Sequence, residues 1–113
     1  MDADLFFMNR AIEQALLGFN EEEIPVGAVV VYKNEIISEA HNKSIQKTDP
    51  TSHAEIEAIR KAAHKIGNYR LTGAKMYVTL EPCLMCCGAL IHARFDKVIF
   101  SSFDKKSGAV VSN

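Results

Sequence analysis

Two short motifs constrain this chain more than anything else in it: His53-Ala54-Glu55 and Pro82-Cys83-Leu84-Met85-Cys86. Each stands at the start of a helical pattern that follows strand-like sequence. Cysteines at i and i+3 share one side of a helical turn, so both sulfurs can reach one ion. One imidazole nitrogen makes three protein ligands and leaves a fourth position open. An open position marks a catalytic zinc site, because structural zinc is usually closed by four protein ligands. The fold must therefore bring two helix N-termini together, where the positive ends of both dipoles favour thiolates and a metal-bound hydroxide.

Glu55 is two residues from His53, so on an ideal helix the two side chains diverge by about 200°. That makes it a poor fourth ligand. From the helix tip it could still take a proton from a bound water and deliver it to a leaving nitrogen, a role worth roughly 10²–10⁴ in rate. The metal would lower the pKa of that water towards about 7. Ser52-x-x-Glu55 equally fits a capping box, in which Glu55 only satisfies backbone donors. A lone Cys-x-x-Cys is also a redox spacing. Together, the two motifs match the signature already established for zinc nucleobase deaminases.

The rest of the chain reads as a frame for these motifs. Residues 4–17 put Leu5, Met8, Ile12, Ala15 and Leu16 on one helical face, with Gly18 as the stop. Glu21, Glu22 and Glu23 suggest a solvated acidic loop. Residues 26–32 are nearly continuously apolar and β-branched, as suits a strand buried on both faces. A turn at Lys33-Asn34-Glu35 leads to an antiparallel partner over 36–40. A polar loop over 42–51 precedes a second helix, 52–66, closed by Gly67-Asn68. A third strand spans 74–80, and Pro82 fits the first turn of a third helix reaching about residue 93. A fourth strand covers 97–101, and 104–113 has no periodicity. The order α-β-β-α-β-α-β implies one sheet with helices on both faces and parallel pairs at the β-α-β crossovers.

At 113 residues, 48% hydrophobic and 24% charged, the chain is expected to form a single globular domain over 1–113. A net charge of −1 means that a nucleic-acid partner would be met by a local patch, not a general basic field. The start, Met-Asp-Ala-Asp, is acidic where a signal or transit peptide would be basic. The longest apolar run, 26–32, is too short to span a bilayer. Three cysteines, two of them spaced as ligands, suit a reducing cytoplasm without disulfides.

Along nearly its whole length the sequence closely resembles the bacterial tRNA adenosine deaminases, which convert the wobble adenosine of the anticodon to inosine. The resemblance rests on Ile24-Pro25-Val26-Gly27-Ala28-Val29, Asn42, Asp49-Pro50-Thr51 and His53-Ala54-Glu55. It continues through Asn68-Tyr69-Arg70-Leu71, Tyr77-Val78-Thr79-Leu80-Glu81-Pro82-Cys83, Gly88-Ala89-Leu90-Ile91-His92, and Asp104 with Lys106 and Gly108. It implies a three-layer α/β/α cytidine-deaminase-like fold with a central mixed sheet. It also implies one zinc ion per subunit on His53, Cys83 and Cys86, with Glu55 as the general acid/base. Asn42 would hydrogen-bond the flipped base, and Val26, Gly27 and Ala28 would wall its pocket. Backbone N–H groups near Cys83 would help hold the water and the reacting centre. Asp104 would contact ribose or backbone beside the target, while Lys106 and Arg94 would meet phosphates. Such enzymes read splayed single-stranded loops and can sense the 2′-OH. The partners implied are a tRNA anticodon loop and a second copy of the chain, met partly through the third helix.

Plainer roles compete at the outer positions. Asn42 could cap a turn, Lys105 and Lys106 could be an ordinary solvated pair, and His41, His64 and His92 suit packing or surface roles. Cys87 suits a buried free thiol. Phe95, Phe100 and Phe103 could stack on RNA or fill the core. The resemblance also implies a further helix, a fifth strand and a terminal helix beyond residue 113. The sheet is therefore expected to be short of a strand, with the fourth strand an open edge prone to pairing. Two other readings share the metal motif: a deaminase of a free nucleobase or nucleoside, and a truncated zinc-binding domain without activity.

Overall fold

Gly27 to Val31 are all buried, and this places β1 (Gly27–Tyr32) inside the sheet of the computed structural model, which describes residues 3–113. β2 (Glu35–His41) returns antiparallel through Lys33-Asn34, whose φ values of 51° and 64° are those of a type I′ hairpin turn. β3 (Lys75–Val78) pairs antiparallel with the other side of β1, and β4 (Lys97–Phe100) lies parallel to β3. The order is β2-β1-β3-β4, with β4 at an edge.

The parallel-pair expectation holds for β3 and β4 and fails for β2 and β3. These two run in the same direction, but β1 stands between them and bonds to both. The local hairpin occupies one side of β1, so the strand arriving after the long crossover takes the other.

Helices cover both faces. α1 (Ala3–Asn20) packs Phe7, Met8 and Ala11 on Val29, Val31 and Tyr77. α2 (Ala54–Ile66) and α3 (Leu84–His92) pack Ala54, Ala58, Ala62 and Leu90 with Ala28, Val30, Met76 and Val78. Alternate residues of β1 thus enter two different cores, which is why its sequence is apolar without a break. The result is the expected three-layer α/β/α arrangement.

The expected face of α1 is partly corrected. Met8 and Ala15 are buried, but Leu5, Ile12 and Leu16 are 59%, 41% and 58% exposed. The inner face is instead Phe7, Met8, Ala11, Ala15 and Gly18. Close approach is the reason: a Cβ on Gly27 would stand 1.9 Å from the Ala11 carbonyl oxygen, so small residues must meet there. Gly18 does not stop the helix, which runs on to Asn20 while Gly18 lies against the His41 ring.

Two helix starts also differ from expectation. α2 begins at Ala54 with His53 as N-cap, and α3 begins at Leu84 with Cys83 as N-cap, so Pro82 precedes the cap. α2 ends as expected: Gly67 takes φ 76°, and the N–H groups of Gly67 and Asn68 donate to the Ala63 carbonyl at 2.8 and 3.2 Å. Among the described residues no helix is long and apolar enough to cross a membrane.

Candidate metal centre and its cavity

His53 and Cys83 occupy equivalent places, each the N-cap of a helix and each making no side-chain capping bond. Their side chains turn instead towards one another. His53 Nδ1 lies 3.7 Å from Cys83 Sγ and 3.5 Å from Cys86 Sγ. All three donor atoms fall within 4.8 Å of each other. A tetrahedral ion with metal–sulfur bonds of about 2.3 Å and metal–nitrogen bonds of about 2.0 Å needs an N···S edge of about 3.5 Å. The donors present therefore fit such an ion. Two thiols and an imidazole are the soft and borderline ligands that zinc takes in this geometry.

Electrostatics agree with a cation at this place. Burial pushes the Cys86 thiol far up from its ordinary value, and the neighbouring Glu55 and Cys83 push it further. A thiolate is stable here only with a positive charge beside it. Glu55 is itself buried, and desolvation raises its carboxyl above the ordinary range, against weaker opposing hydrogen bonds. The capping-box alternative is not formed, because His53 and not Ser52 is the N-cap and the helix start has no side-chain cap.

His53, Glu55 and Cys83 line one cavity of about 250 Å³, whose walls include Val26, Asn42 and Asp104. Asn42 is buried at the end of β2; its N–H donates to the Val26 carbonyl at 3.1 Å, and its Oδ1 accepts the Ser44 N–H at 2.9 Å. The turn-capping role and the cavity position thus coexist. Asp104 reaches the cavity while its Oδ1 accepts the Lys106 and Ser107 N–H groups at 3.2 and 3.1 Å.

Other expected residues lie elsewhere. Gly27 is turned onto α1, and the Ala28 side chain is in the core beneath α2, so neither joins the cavity lining. Lys106 is exposed and outside the lining, as is Arg94, which follows α3 with φ 68°. His64 and His92 are exposed, while His41 is buried with Nδ1 2.8 Å from the Asn42 carbonyl oxygen. Cys87 is half-buried, its Sγ 3.8 Å from the Pro82 carbonyl oxygen. Phe95 and Phe100 pack on the core; Phe103 is 61% exposed and meets the Phe100 ring edge-on.

Sequence reasoning missed two buried carboxylates, of which Glu81 lines the cavity and Glu23 does not. Glu23, expected in a solvated loop, is buried and accepts the Ile45 and Gln46 N–H groups at 3.1 and 2.7 Å. Glu81 is only 2% exposed and lines the cavity, gathering the segment from Asp104 to Ser112. The available signal was its setting, an acid between Leu80 and Pro82 at a strand end.

A family model for the cytidine and deoxycytidylate deaminase zinc-binding region matches residues 1–102. The chain belongs to this deaminase family. A tRNA-specific adenosine deaminase from Aquifex aeolicus (strain VF5) is 49% identical over 107 residues, which are 95% of this chain and 71% of the relative. The chain spans 62% of the length of a tRNA-specific adenosine deaminase from Buchnera aphidicola (subsp. Baizongia pistaciae), at 48% identity. Among solved structures, one from a study of A-to-I editing by tRNA:A34 deaminases superposes with a TM-score of 0.95 at 40% identity, covering 96% of this chain and 79% of that one. A guanine deaminase from Bacillus subtilis gives a TM-score of 0.84, also at 40% identity, over 87% of this chain and 63% of that one. The deaminase fold is therefore common to relatives with different substrates.

Proposed function

We propose that residues 1–113 form a single catalytic domain that hydrolyses the C6 amino group of adenosine to inosine at the wobble position of tRNA. One observation carries this reading: the His53, Cys83 and Cys86 donors lie within 4.8 Å of one another, and His53 and Cys83 share one cavity with the buried Glu55. The named substrate of the Aquifex relative supports the choice of tRNA adenosine.

One zinc ion per chain is assigned to His53, Cys83 and Cys86, and when bound it supplies the charge that makes water nucleophilic near neutral pH. Glu55 takes one proton from the attacking water as its oxygen bonds to C6. Glu55 then gives that proton to the amino nitrogen as the C–N bond breaks, and the proton left on the new C6 oxygen moves to N1, so adenosine and water become inosine and ammonia. Its buried setting favours holding the proton between the two steps. Asn42 is assigned to the edge of the flipped base, with Val26 against its face. Gly27 and Ala28 act only through the strand that positions Val26. Asp104 is assigned to the ribose or backbone beside the target, and the exposed Lys106 and Arg94 to phosphates. We further propose a homodimer using α3, where Leu84 and Ile91 are 78% and 74% exposed, and a cytoplasmic setting in which the thiols stay reduced.

An anticodon stem-loop with a wobble adenosine, assayed beside free adenosine, cytidine and guanine, tests the reading. Inosine in the stem-loop, from protein with one zinc per chain, is the expected outcome. The guanine deaminase relative at equal identity favours a second reading, action on a free purine. Turnover confined to guanine would establish that reading instead. Bound zinc with no product from any substrate would indicate an inactive zinc-binding domain.

A further inference from the structure

Glu81 stands two residues before Cys83, and its carboxylate is bonded into the segment that follows β4. Its Oε2 accepts three successive backbone N–H groups, from Val110, Val111 and Ser112, at 3.0, 2.7 and 2.9 Å. Its Oε1 accepts the Asp104 N–H at 3.1 Å and the Ser112 hydroxyl at 2.5 Å. Consecutive amides converging on one oxygen make an anion-binding nest, here occupied by a carboxylate of the same chain. Bonds to an ionised acceptor are about twice as strong as neutral ones. Burial would raise this carboxyl, but the bonds from Ser112, Val111 and Asp104 outweigh it and hold it down at about 2.

The fit is tight on the other side as well. A Cβ on Gly108 would stand 2.4 Å from the Glu81 carboxyl carbon and 2.6 Å from the Asp104 carbonyl oxygen. Gly108 also bridges Cys83, and the Ala109 N–H donates to the Pro82 carbonyl at 2.8 Å. The segment has no helix or strand of its own to hold it. Nevertheless Asp104 and Ser107 form part of the cavity wall.

We propose that Glu81 is a positioning residue: its carboxylate folds residues 104–112 over the metal site and so builds the wall that meets the substrate beside the reacting base. The substrate clause rests on the tRNA deaminase reading, whereas the folding clause does not. Glu81→Ala removes every acceptor of the nest, Glu81→Gln keeps acceptor capacity on one oxygen only, and Gly108→Ala attacks the same contact from the opposite side.

Hydrogen exchange at the amides of Val110, Val111 and Ser112, zinc content, and the KM and kcat for an anticodon stem-loop are measured together on the full chain. Glu81→Ala and Gly108→Ala are expected to lose protection at those amides by at least tenfold, keep their zinc, and raise KM more than they lower kcat. Glu81→Gln is expected to fall between them and the parent. Unchanged protection at the three amides in Glu81→Ala would overturn the proposal, whatever the activity. So would loss of zinc with the amides still protected, which would make Glu81 a support for Cys83 alone. If the parent chain deaminates no RNA, the functional reading fails while the exchange data still decide the folding role. Lost protection with KM unchanged would remove the wall from substrate binding and overturn that half.

Discussion

At the scale of single residues, three groups are proposed to hold a metal ion and one, Glu55, to move a proton. His53, Cys83 and Cys86 differ from Glu55 in what their loss should do. Glu55→Ala is expected to keep its metal, because all three donors remain, and to lose about 10²–10⁴ in turnover. Zinc analysis beside inosine formation checks this, and ordinary turnover would strip Glu55 of the proton-transfer role. Cys86→Ser should fail earlier, with metal content falling well below one per chain, because its sulfur stands at one corner of the donor set. The donor set was legible from spacing because ligand chemistry restricts both residue type and reach. The supporting carboxylates were not. Glu23 ends a run of three acids and Glu81 stands alone between Leu80 and Pro82, and nothing in either one-dimensional setting distinguishes a buried carboxylate from a surface one.

Elements were legible where one face of a segment is chemically distinct. β1 declared itself by a run that both cores require, and α2 by its left-handed glycine stop. α1 did not, because apolar residues surround it: Leu5, Leu16 and Phe19 are 59%, 58% and 63% exposed while Phe7 and Met8 are buried. Periodicity alone cannot rotate such a helix. The deciding partner is Gly27, more than a turn beyond the end of α1 and invisible to any helical window. Gly27→Ala places a methyl group against backbone oxygen and nitrogen of α1, at 1.9 Å from Ala11 and 2.5 Å from Ala15. Backbone cannot swing aside as a side chain can, so the loss should reach the upper end of overpacking costs, about 3 kcal/mol. Urea midpoints measure it; an unchanged midpoint would mean that α1 shifts freely over the sheet.

For the whole molecule, acid is the expected weak point. Burial raises the Glu57 carboxyl, but the Lys47 ammonium at 2.8 and 3.0 Å outweighs it and leaves the group below its ordinary value. Glu81 is also held down, at about 2. Both groups bind protons more weakly folded than unfolded, so unfolding takes up protons in acid. Their stabilisation is complete above the ordinary carboxylate value of about 4.3 and is lost as pH falls towards the folded values. Melting temperatures of the metal-free chain should therefore decline between about pH 4.5 and pH 2, and the Lys47→Met variant should decline from a lower starting point. A flat profile across that interval would contradict the assigned pairing. The position of β1 between β2 and β3 carries a consequence in time. Its hairpin with β2 closes across two residues, whereas Ala28 must await Val78 for its other neighbour. Strand pairing across that separation pays its loop-closure entropy before any contact rewards it, and is slow compared with forming a local hairpin. During synthesis the hairpin should form early with one open edge, and the sheet should lock only after residue 78 has emerged. Arrested nascent chains probed by limited proteolysis should become resistant on passing that length, so the middle strand acts as the clock of assembly.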